Sequence, residues 1–169
     1  MLEINLSFPR GYILKLQFQH ARKKDLTSLV SLLADDELGA LREDTSHPVN
    51  QSYYSAFEQI SNDPNNELII VLSDENTVGM LQLTFIPYLT HTGSWRCLIE
   101  GVRIHSEFRG KGLGSEILKW AINRAKERNC NLVQLTSDKQ RPDAIRFYES
   151  LGFVASHEGF KLKIADYVW

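Results

Sequence analysis

Residues 99–118 read IEGVRIHSEFRGKGLGSEIL, with a glycine at every second position from Gly110 to Gly114, directly before a segment with helical spacing. A helix N-terminus leaves about four backbone N–H groups without an intrahelical partner, and its dipole attracts anions. Glycines let a bulky phosphate approach those groups closely. The order of the glycines fits neither a P-loop nor the dinucleotide pattern GxGxxG. The remaining pattern, R-x-x-G-x-G from Arg109 to Gly114, is compatible with a phosphate site or with a plain tight turn.

The periodicity of the flanking sequence predicts alternating strands and helices. Period-two apolar patterns predict an opening hairpin with its turn at PRG, residues 9–11, and an antiparallel meander of LIIVL, VGMLQLTF and WRCLIEGVRI. Helical spacing predicts a helix from Asp25 onward, a short one around YYSAFEQI, the glycine helix up to about Arg128, and PDAIRFYESLGF. NLVQLTS and a final pair near FVAS and GFKLKI are predicted as strands. The predicted fold is α/β (α+β), with a mixed, largely antiparallel central sheet flanked by about four helices.

The composition is that of one soluble globular domain, which we expect to span residues 1–169. A net charge of -2 lacks the basic excess that nucleic acids select, so no nucleic-acid partner is expected. Cys97 and Cys130 lie far apart without a CxxC pattern, so we expect core thiols, no disulfide and no metal site. The N-terminus alternates in polarity, and the aliphatic run at 68–72 is too short for a bilayer, so we expect a cytoplasmic protein without a membrane partner.

Two stretches of the chain resemble the GNAT superfamily of acetyl-coenzyme A dependent N-acetyltransferases. Residues 99–118 resemble the family's central strand, pyrophosphate loop and following helix, and AIRFYESLGF, residues 144–153, is similar to its C-terminal helix. The resemblance covers most of the chain and implies a GNAT-like domain, acetyl-coenzyme A as cosubstrate and an amine acceptor. It places the coenzyme pyrophosphate on Arg109, Gly110, Lys111, Gly112, Leu113, Gly114 and Ser115. The side chains of Arg109 or Lys111 can add charge-assisted contacts.

Acetyl transfer to an amine needs a base for the ammonium proton, a donor to the developing oxyanion and a proton for the departing thiolate. Glu100 is the candidate base. Strand alternation groups its side chain with those of Leu98, Val102 and Ile104. A carboxylate on such an apolar face tends to have a raised pKa, which suits proton uptake near neutral pH. Gly101 indicates a bulge that could rotate Glu100 away from this face, and the competing interpretation is a carboxylate without catalytic duty.

Tyr148 is by spacing alone a core aromatic of its helix. In similar enzymes a tyrosine at the matching position lies beside the coenzyme sulfur, so the resemblance implies that Tyr148 contacts the coenzyme and protonates its thiolate. The resemblance also implies that the backbone of Val102, Arg103 and Ile104 pairs with the pantetheine arm like an added strand. The family often has Asn three residues before the alanine of this helix. Here that position is Arg141, so no coenzyme contact is carried over to it.

The connection after the first predicted helix is acidic and bears on the acceptor. It contains Asp35, Asp36, Glu37, Glu43 and Asp44. A carboxylate cluster favours a cationic acceptor, such as a primary amine of a small metabolite, a polyamine, an aminoglycoside or a lysine side chain; a solvated helix end is the competing interpretation. Asp35, Asp36 and Glu37 are therefore candidate acceptor contacts, together with His157, which follows the tyrosine helix. His91 and His157 are otherwise interpreted as surface histidines.

The sequence thus predicts an enzyme, an acyltransferase that moves an acetyl group from acetyl-coenzyme A to the primary amine of a small cationic metabolite by direct attack in a ternary complex. A protein or peptide lysine or N-terminus is the alternative acceptor. Two other classes stay open: a non-catalytic sensor module that binds acyl-coenzyme A, and an unrelated phosphate-binding interaction domain. Many similar enzymes form dimers, so a homodimer is also expected.

Overall fold

The computed structural model describes residues 2–7 and 13–164 of the chain. The chain divides into two compact units, residues 1–135 and residues 136–169. In the described part, the first unit holds the sheet and the helices that pack on it, whereas the second contains a single helix and irregular segments. The expectation of one domain across the chain stays a prediction.

Six strands form one sheet in sequence order within the described residues. They are β1 (Leu2–Ser7), β2 (Ile13–His20), β3 (Asn66–Ser73), β4 (Asn76–Pro87), β5 (Trp95–Ile104) and β6 (Leu132–Leu135). The first five pair antiparallel, and β6 pairs parallel to β5. The predicted opening hairpin and antiparallel meander are confirmed, while the predicted turn at residues 9–11 lies outside the described residues.

Helices connect these strands. They are α1 (Leu26–Leu33), α2 (Glu37–Ala40), α3 (Gln51–Asn62), α4 (Thr90–Gly93), α5 (Leu113–Glu127) and α6 (Pro142–Ser150). The four longer helices, α1, α3, α5 and α6, confirm the helices that the spacing of apolar residues predicts. By contrast, α2 and α4 have four residues each, too few for an apolar period to appear. Within α4, His91 and Thr92 have left-handed backbone angles, and His91 is exposed as predicted.

Apolar side chains cover both faces of the sheet. On one face, Leu29 and Leu32 of α1 pack with Ile70 and Met80. On the other face, α5 buries the stripe Ile117, Leu118, Ala121 and Ala125, and its Trp120 stacks on Phe18 with ring centroids 4.7 Å apart. Burial of each large apolar side chain stabilises the fold by roughly 1.5–3 kcal/mol. The two layers therefore hold α1 and α5 against opposite faces of the sheet.

The two cysteines differ in their burial. Cys97 on β5 is fully buried, and this burial raises the pKa of its thiol to about 12, with smaller contributions from Cys130 and Glu67. Cys130 is half-buried, and both thiols are free. The predicted core thiol is confirmed for Cys97.

A buried carboxylate joins α5 to the sheet. Glu67 of β3 is 4% exposed and accepts hydrogen bonds from Arg124 Nη2 at 2.7 Å and Arg124 Nε at 2.9 Å. These hydrogen bonds raise the pKa of Arg124, so its guanidinium stays charged. Arg128 contacts the same carboxylate at 3.4 Å and also donates to the Pro64 carbonyl. Removing one partner of a buried ion pair costs about 3–5 kcal/mol. The network thus fixes the C-terminal half of α5.

The second unit is built around α6. Pro142 occupies its first turn, as predicted. The helix ends in a Schellman motif: Gly152 has a φ of 89°, its N–H donates to the Glu149 carbonyl at 2.9 Å, and Phe153 N–H donates to the Tyr148 carbonyl at 3.1 Å. The rings of Tyr148 and Phe153 make the accompanying apolar contact, with centroids 6.0 Å apart. The motif explains from local contacts alone why an aromatic residue lies at position 148, three residues before the Leu-Gly-Phe sequence.

The final strand pair predicted near residues 153–156 and 159–164 is wrong, because the described residues there form no strand. The alternating apolar residues that suggested it are exposed: Val154 (81%), Phe160 (95%), Leu162 (63%) and Ile164 (82%). Two strands are marginally stable unless an apolar face is buried. Alternation alone was therefore an insufficient signal at this position.

Candidate active site

The glycine loop connects β5 to α5. After a 3-10 turn at Ser106–Phe108, Gly110 and Gly112 adopt left-handed backbone angles with φ of 71° and 82°. Leu113 is 1% exposed and anchors the first turn of α5 in the core. The helical hydrogen bonds begin with Ser115 N–H, which donates to the Gly112 carbonyl at 3.1 Å. The amides before Ser115 therefore belong to those that a helix N-terminus leaves without an intrahelical partner.

The space around Gly110 and Gly112 is open. A Cβ atom built on either glycine would meet no protein heavy atom within 4 Å. Their left-handed angles would cost any other L-residue roughly 1–2 kcal/mol, so glycine is required for conformation and leaves the space open. The dipole of the 15-residue helix α5 adds positive potential at the same place. Lys111 lies beside this space, with Nζ 5.4 Å from the centre of the Phe108 ring.

The end of β5 next to the loop has an unpaired edge. Pairing with β6 covers residues 96–99, and no other described strand pairs with that side of β5. The carbonyl of Val102 accepts a hydrogen bond from Arg103 Nη1 at 2.9 Å, and the carbonyl of Ile104 accepts one from Arg109 Nε at 3.0 Å. An added strand, such as the pantetheine arm predicted to pair here, would share these carbonyls with the two arginines or displace them.

A bulge interrupts the pairing of β4 with β5. The register pairs Gln82 with Glu100 and Met80 with Arg103, so a single residue of β4 lies opposite two residues of β5. Gly101 has a left-handed φ of 58° at this point. A left-handed glycine is the usual first residue of one common bulge type. The bulge predicted from Gly101 is thus confirmed.

The bulge changes the face on which the β5 side chains lie. Glu100 and Arg103 share one face, because their partners on β4 are two residues apart. Val102 and Ile104 lie on the opposite face, so the prediction that they share a face with Glu100 is wrong. Glu100 is moreover exposed instead of surrounded by apolar side chains. Its role as a base stays a prediction.

The aspartates predicted to contact the acceptor are paired with arginines of the two segments predicted to bind the coenzyme, residues 102–104 and 109–115. Asp35 Oδ2 lies 3.1 Å from Arg109 Nη2, and Asp36 Oδ2 lies 3.6 Å from Arg103 Nε. Glu37, the third candidate, is exposed in the first turn of α2. The charges of Asp35 and Asp36 are thus compensated within the protein, and Arg109, predicted to add a contact to the diphosphate, is engaged as well. Contacts of these residues with a ligand stay predictions.

The other two acidic residues of this connection organise the approach to α3. The Tyr53 hydroxyl donates to Glu43 Oε2 and accepts from the Asp44 N–H, both at 3.0 Å. Asp44 Oδ2 accepts from Asn50 Nδ2 at 2.9 Å. Hydrogen bonds from Asn50 and then from Ser46 lower the pKa of Asp44 to about 2. These carboxylates therefore have structural partners, which favours the competing interpretation of the acidic cluster for them.

Tyr148 and His157 belong to the second unit. Tyr148 is half-buried, and its ring lies 5.3 Å from that of Phe147 and 6.0 Å from that of Phe153. His157 is exposed, with Nδ1 2.8 Å from the hydroxyl of the preceding serine. Arg141 is the N-cap residue of α6. The functional roles predicted for Tyr148 and His157 stay predictions.

Two features that shape the site were missed by the sequence analysis. A Cβ atom on Gly79 would lie 2.9 Å from both the Arg103 carbonyl oxygen and Ile117 Cδ1, so a glycine there lets α5 pack directly beside the end of β5. A lone glycine within a strand pattern is the signal that could have shown this. The Ser106 N–H donates to Asp35 Oδ2 at 2.8 Å. Such a contact cannot be recognised in the sequence, because any residue except proline would offer the same backbone N–H.

Among residues 2–7 and 13–164, no group of three or more His, Cys, Asp or Glu side chains is placed to hold a metal ion. In the same part of the chain, no helix is long and apolar enough to cross a membrane.

The candidate site consists of a bulged central strand, its unpaired edge and a glycine-rich helix start. On a mixed, largely antiparallel sheet, this is the arrangement of a GNAT-type acetyltransferase.

Comparison with known proteins leads to the same class. The model of the acetyltransferase (GNAT) family matches residues 20–153, which is most of the chain. The chain therefore belongs to the acetyltransferase (GNAT) family and is an acyltransferase.

Three similar proteins illustrate the relationship. An aminoalkylphosphonate N-acetyltransferase of Salmonella typhimurium is 27% identical over 85% of this chain and 88% of its own length. The structure of a transcriptional regulator from Bacillus halodurans C-125 is 57% identical, with a TM-score of 0.85 over 88% of this chain and 99% of that one. A predicted acetyltransferase from Clostridium acetobutylicum, solved with acetyl-coenzyme A, is 20% identical, with a TM-score of 0.69 over 90% of this chain and 98% of that one. This last similarity concerns the fold alone.

Proposed function

We propose that this protein transfers the acetyl group of acetyl-coenzyme A to the primary amine of a small molecule, by direct attack in a ternary complex. The observation that carries the proposal is the pair of left-handed glycines, Gly110 and Gly112, with open space around them at the start of α5. The loop amides would hold the diphosphate, and the unpaired edge of β5 at residues 102–104 would hold the pantetheine arm. Bound acetyl-coenzyme A supplies an acyl group activated as a thioester.

Several protons move during the transfer. An ammonium cannot attack a carbonyl carbon, so the amine first loses a proton, and Glu100 is the proposed acceptor, directly or through water. The amine nitrogen then bonds to the carbonyl carbon of the acetyl group while the carbon–sulfur bond breaks. The Tyr148 hydroxyl gives its proton to the departing thiolate, a role that rests on the family resemblance. The second proton of the attacking nitrogen returns to Tyr148, directly or through water, so that a neutral amide and a thiol are formed. Backbone N–H groups at the bulged end of β5 would polarise the thioester carbonyl.

The class of acceptor rests on one relative and on the charges around the site. The Salmonella typhimurium relative is named for an aminoalkylphosphonate, which is a small molecule with an amine and an anionic group. In this protein Asp35 and Asp36 are paired with Arg109 and Arg103, so their attraction for a polycation is reduced. A small zwitterionic amine therefore fits the described charges at least as well as a polyamine does.

A second candidate function is that of a sensor that binds acyl-coenzyme A without turnover. The observation that favours it is the 57% identical protein from Bacillus halodurans C-125, which is described as a transcriptional regulator. Both candidates use the same coenzyme site. They differ in whether a thiol is released when an amine is added.

An assay of thiol release from acetyl-coenzyme A tests the proposal against both alternatives. The amine panel holds an aminoalkylphosphonate, a polyamine and a lysine-containing peptide. We expect amine-dependent thiol release with a small amine, matched by an equal amount of acetylated product in the mass spectrum. Turnover with the peptide alone would shift the assignment to a protein acetyltransferase. If the protein binds the coenzyme but releases no thiol from acetyl-coenzyme A with any amine of the panel, the result would contradict the proposal and support the sensor.

A further inference from the structure

Two neighbouring aspartates link the end of α1 to the coenzyme segments. Asp35 and Asp36 follow α1 directly, and each is paired with an arginine more than sixty residues away in sequence. Asp36 and Arg103 have side chains that are 19% and 15% exposed, so their pair is largely shielded from solvent. Asp36 Oδ1 also accepts from the Gly39 N–H at 2.7 Å and thereby caps α2. This pair ties the start of α2 to β5.

Asp35 makes the larger number of contacts with the glycine loop. Its Oδ2 accepts from the Ser106 N–H at 2.8 Å and from Arg109 Nη2 at 3.1 Å. Arg109 Nη2 also donates to the backbone carbonyl of Asp35. Through Nε, the same guanidinium donates to the Ile104 carbonyl at 3.0 Å. One planar side chain thus joins the end of α1, the last residue of β5 and the first residue of the loop.

The loop needs such a restraint because its next residues are conformationally free. Gly110 and Gly112 lose more chain entropy on ordering than any other residue type would. Leu113 anchors the far end of the loop in the core. At the near end, the Arg109 N–H donates to the Ser106 carbonyl at 3.2 Å, and the contacts of the Arg109 side chain with Asp35 add to this restraint. A ligand that needs several loop amides in one arrangement binds more tightly when that arrangement exists beforehand.

From these contacts we infer that Asp35 is a positioning residue for coenzyme binding, and that it acts through Arg109. The carboxylate holds the guanidinium, which in turn holds the near end of the glycine loop in the conformation that receives the diphosphate. Arg109 is thus a structural brace of the loop instead of a mobile cation that reaches for phosphate. The inference rests on the proposed function, because it assumes that the loop binds coenzyme A.

Calorimetric titration of coenzyme A into Asp35→Asn and Arg109→Lys tests the inference. Arg109→Lys keeps the charge but loses the planar fork, so it cannot contact Asp35 and the Ile104 carbonyl together. We expect the dissociation constant to rise about tenfold in each variant, as for the loss of a charge-assisted hydrogen bond. The double variant should bind no more weakly than the weaker single one, because both remove the same brace. In turnover, the KM for acetyl-coenzyme A should rise while kcat stays within about twofold.

The matched control is Asp25→Asn, at the other end of α1. Asp25 also accepts a backbone N–H, that of Arg22 at 2.8 Å, and pairs with the Arg22 side chain at 3.6 Å. We expect this variant to bind coenzyme A like the wild type. If Arg109→Lys binds like the wild type, or if Asp35→Asn matches Asp25→Asn, the inference is wrong. If the wild type itself does not bind coenzyme A, the proposed function fails instead.

Discussion

At the scale of single residues, a glycine beside the candidate base decides which side chain shares the face of that base. The left-handed Gly101 inserts one residue into β5, and Arg103 therefore lies on the same face of the sheet as Glu100, the face on which α1 packs. An exposed carboxylate there can take a proton from an ammonium and pass it to solvent. Glu100 thus combines access to water with a fixed position on the central strand.

Tyr148→Phe tests the proposed proton donor at the same scale. The ring contacts with Phe147 and Phe153 remain in the variant, so the packing of the ring is kept. We expect kcat to fall about 10²-fold, the usual contribution of a positioned general acid. The measurement is the rate of thiol release at saturating acetyl-coenzyme A and amine.

Tyr54→Phe provides the matched control for this variant. Tyr54 lies on α3, and its ring is contacted by Lys23 Nζ at 5.2 Å from the ring centre. The same removal of a hydroxyl should leave kcat unchanged there. Equal kcat values in Tyr148→Phe and Tyr54→Phe would show that Tyr148 has a structural role only.

At the scale of elements, the start of α3 depends on a carboxylate six positions before its cap. Asn50 Oδ1 accepts from the Ser52 N–H at 3.0 Å and thereby caps the helix, while its Nδ2 donates to Asp44. The pKa of Asp44 falls to about 2 from an ordinary 3.8, chiefly because of the Asn50 hydrogen bond. Protonation of Asp44 would weaken this link, so the order of the helix start is tied to pH.

The pH dependence has a definite sign, because the folded pKa of Asp44 is depressed. Its stabilising contribution is fully present above an ordinary aspartate pKa of about 4, and it is lost as the pH falls through about 2. In a carboxyl titration by NMR, we expect a midpoint near 2 in the wild type and a higher one in Asn50→Ala. Gln51→Ala, at the next position, should leave the midpoint unchanged. A wild-type midpoint near 3.8 would refute this account.

Elements with a sustained apolar period were predictable from the sequence, and the others were not. The stripe of α5 runs over more than two turns, so the existence and the end of the helix were clear before its packing was known. The helix α2 depends on a cap, in which Asp36 accepts from Gly39, and four residues carry no period. The predicted final strand pair was wrong for the opposite reason. Apolar and polar residues alternate in residues 153–164, but apolar side chains of this alternation are exposed.

At the scale of the whole molecule, the loop that binds the coenzyme in our proposal could be located from sequence, but its bracing could not. Glycine spacing before a helix is a local signal, and the loop from Arg109 to Gly114 followed from it directly. The contact between Asp35 and Arg109 joins residues 74 positions apart, and no local sequence pattern predicts such a pair. Tertiary pairing thus joins two predicted acceptor contacts, Asp35 and Asp36, to Arg109 and Arg103.

Calorimetric titration of acetyl-coenzyme A into wild type, Gly112→Ala and Gly93→Ala tests most directly whether the glycine loop holds the coenzyme. Both glycines have left-handed φ, 82° and 70°, and neither Cβ would meet a protein atom within 4 Å. Each substitution should therefore destabilise the fold by a similar roughly 1–2 kcal/mol. At Gly112 alone the methyl group enters the space proposed for the diphosphate. We predict wild-type affinity for Gly93→Ala and at least about tenfold weaker binding for Gly112→Ala; equal affinity of the two variants would contradict the account.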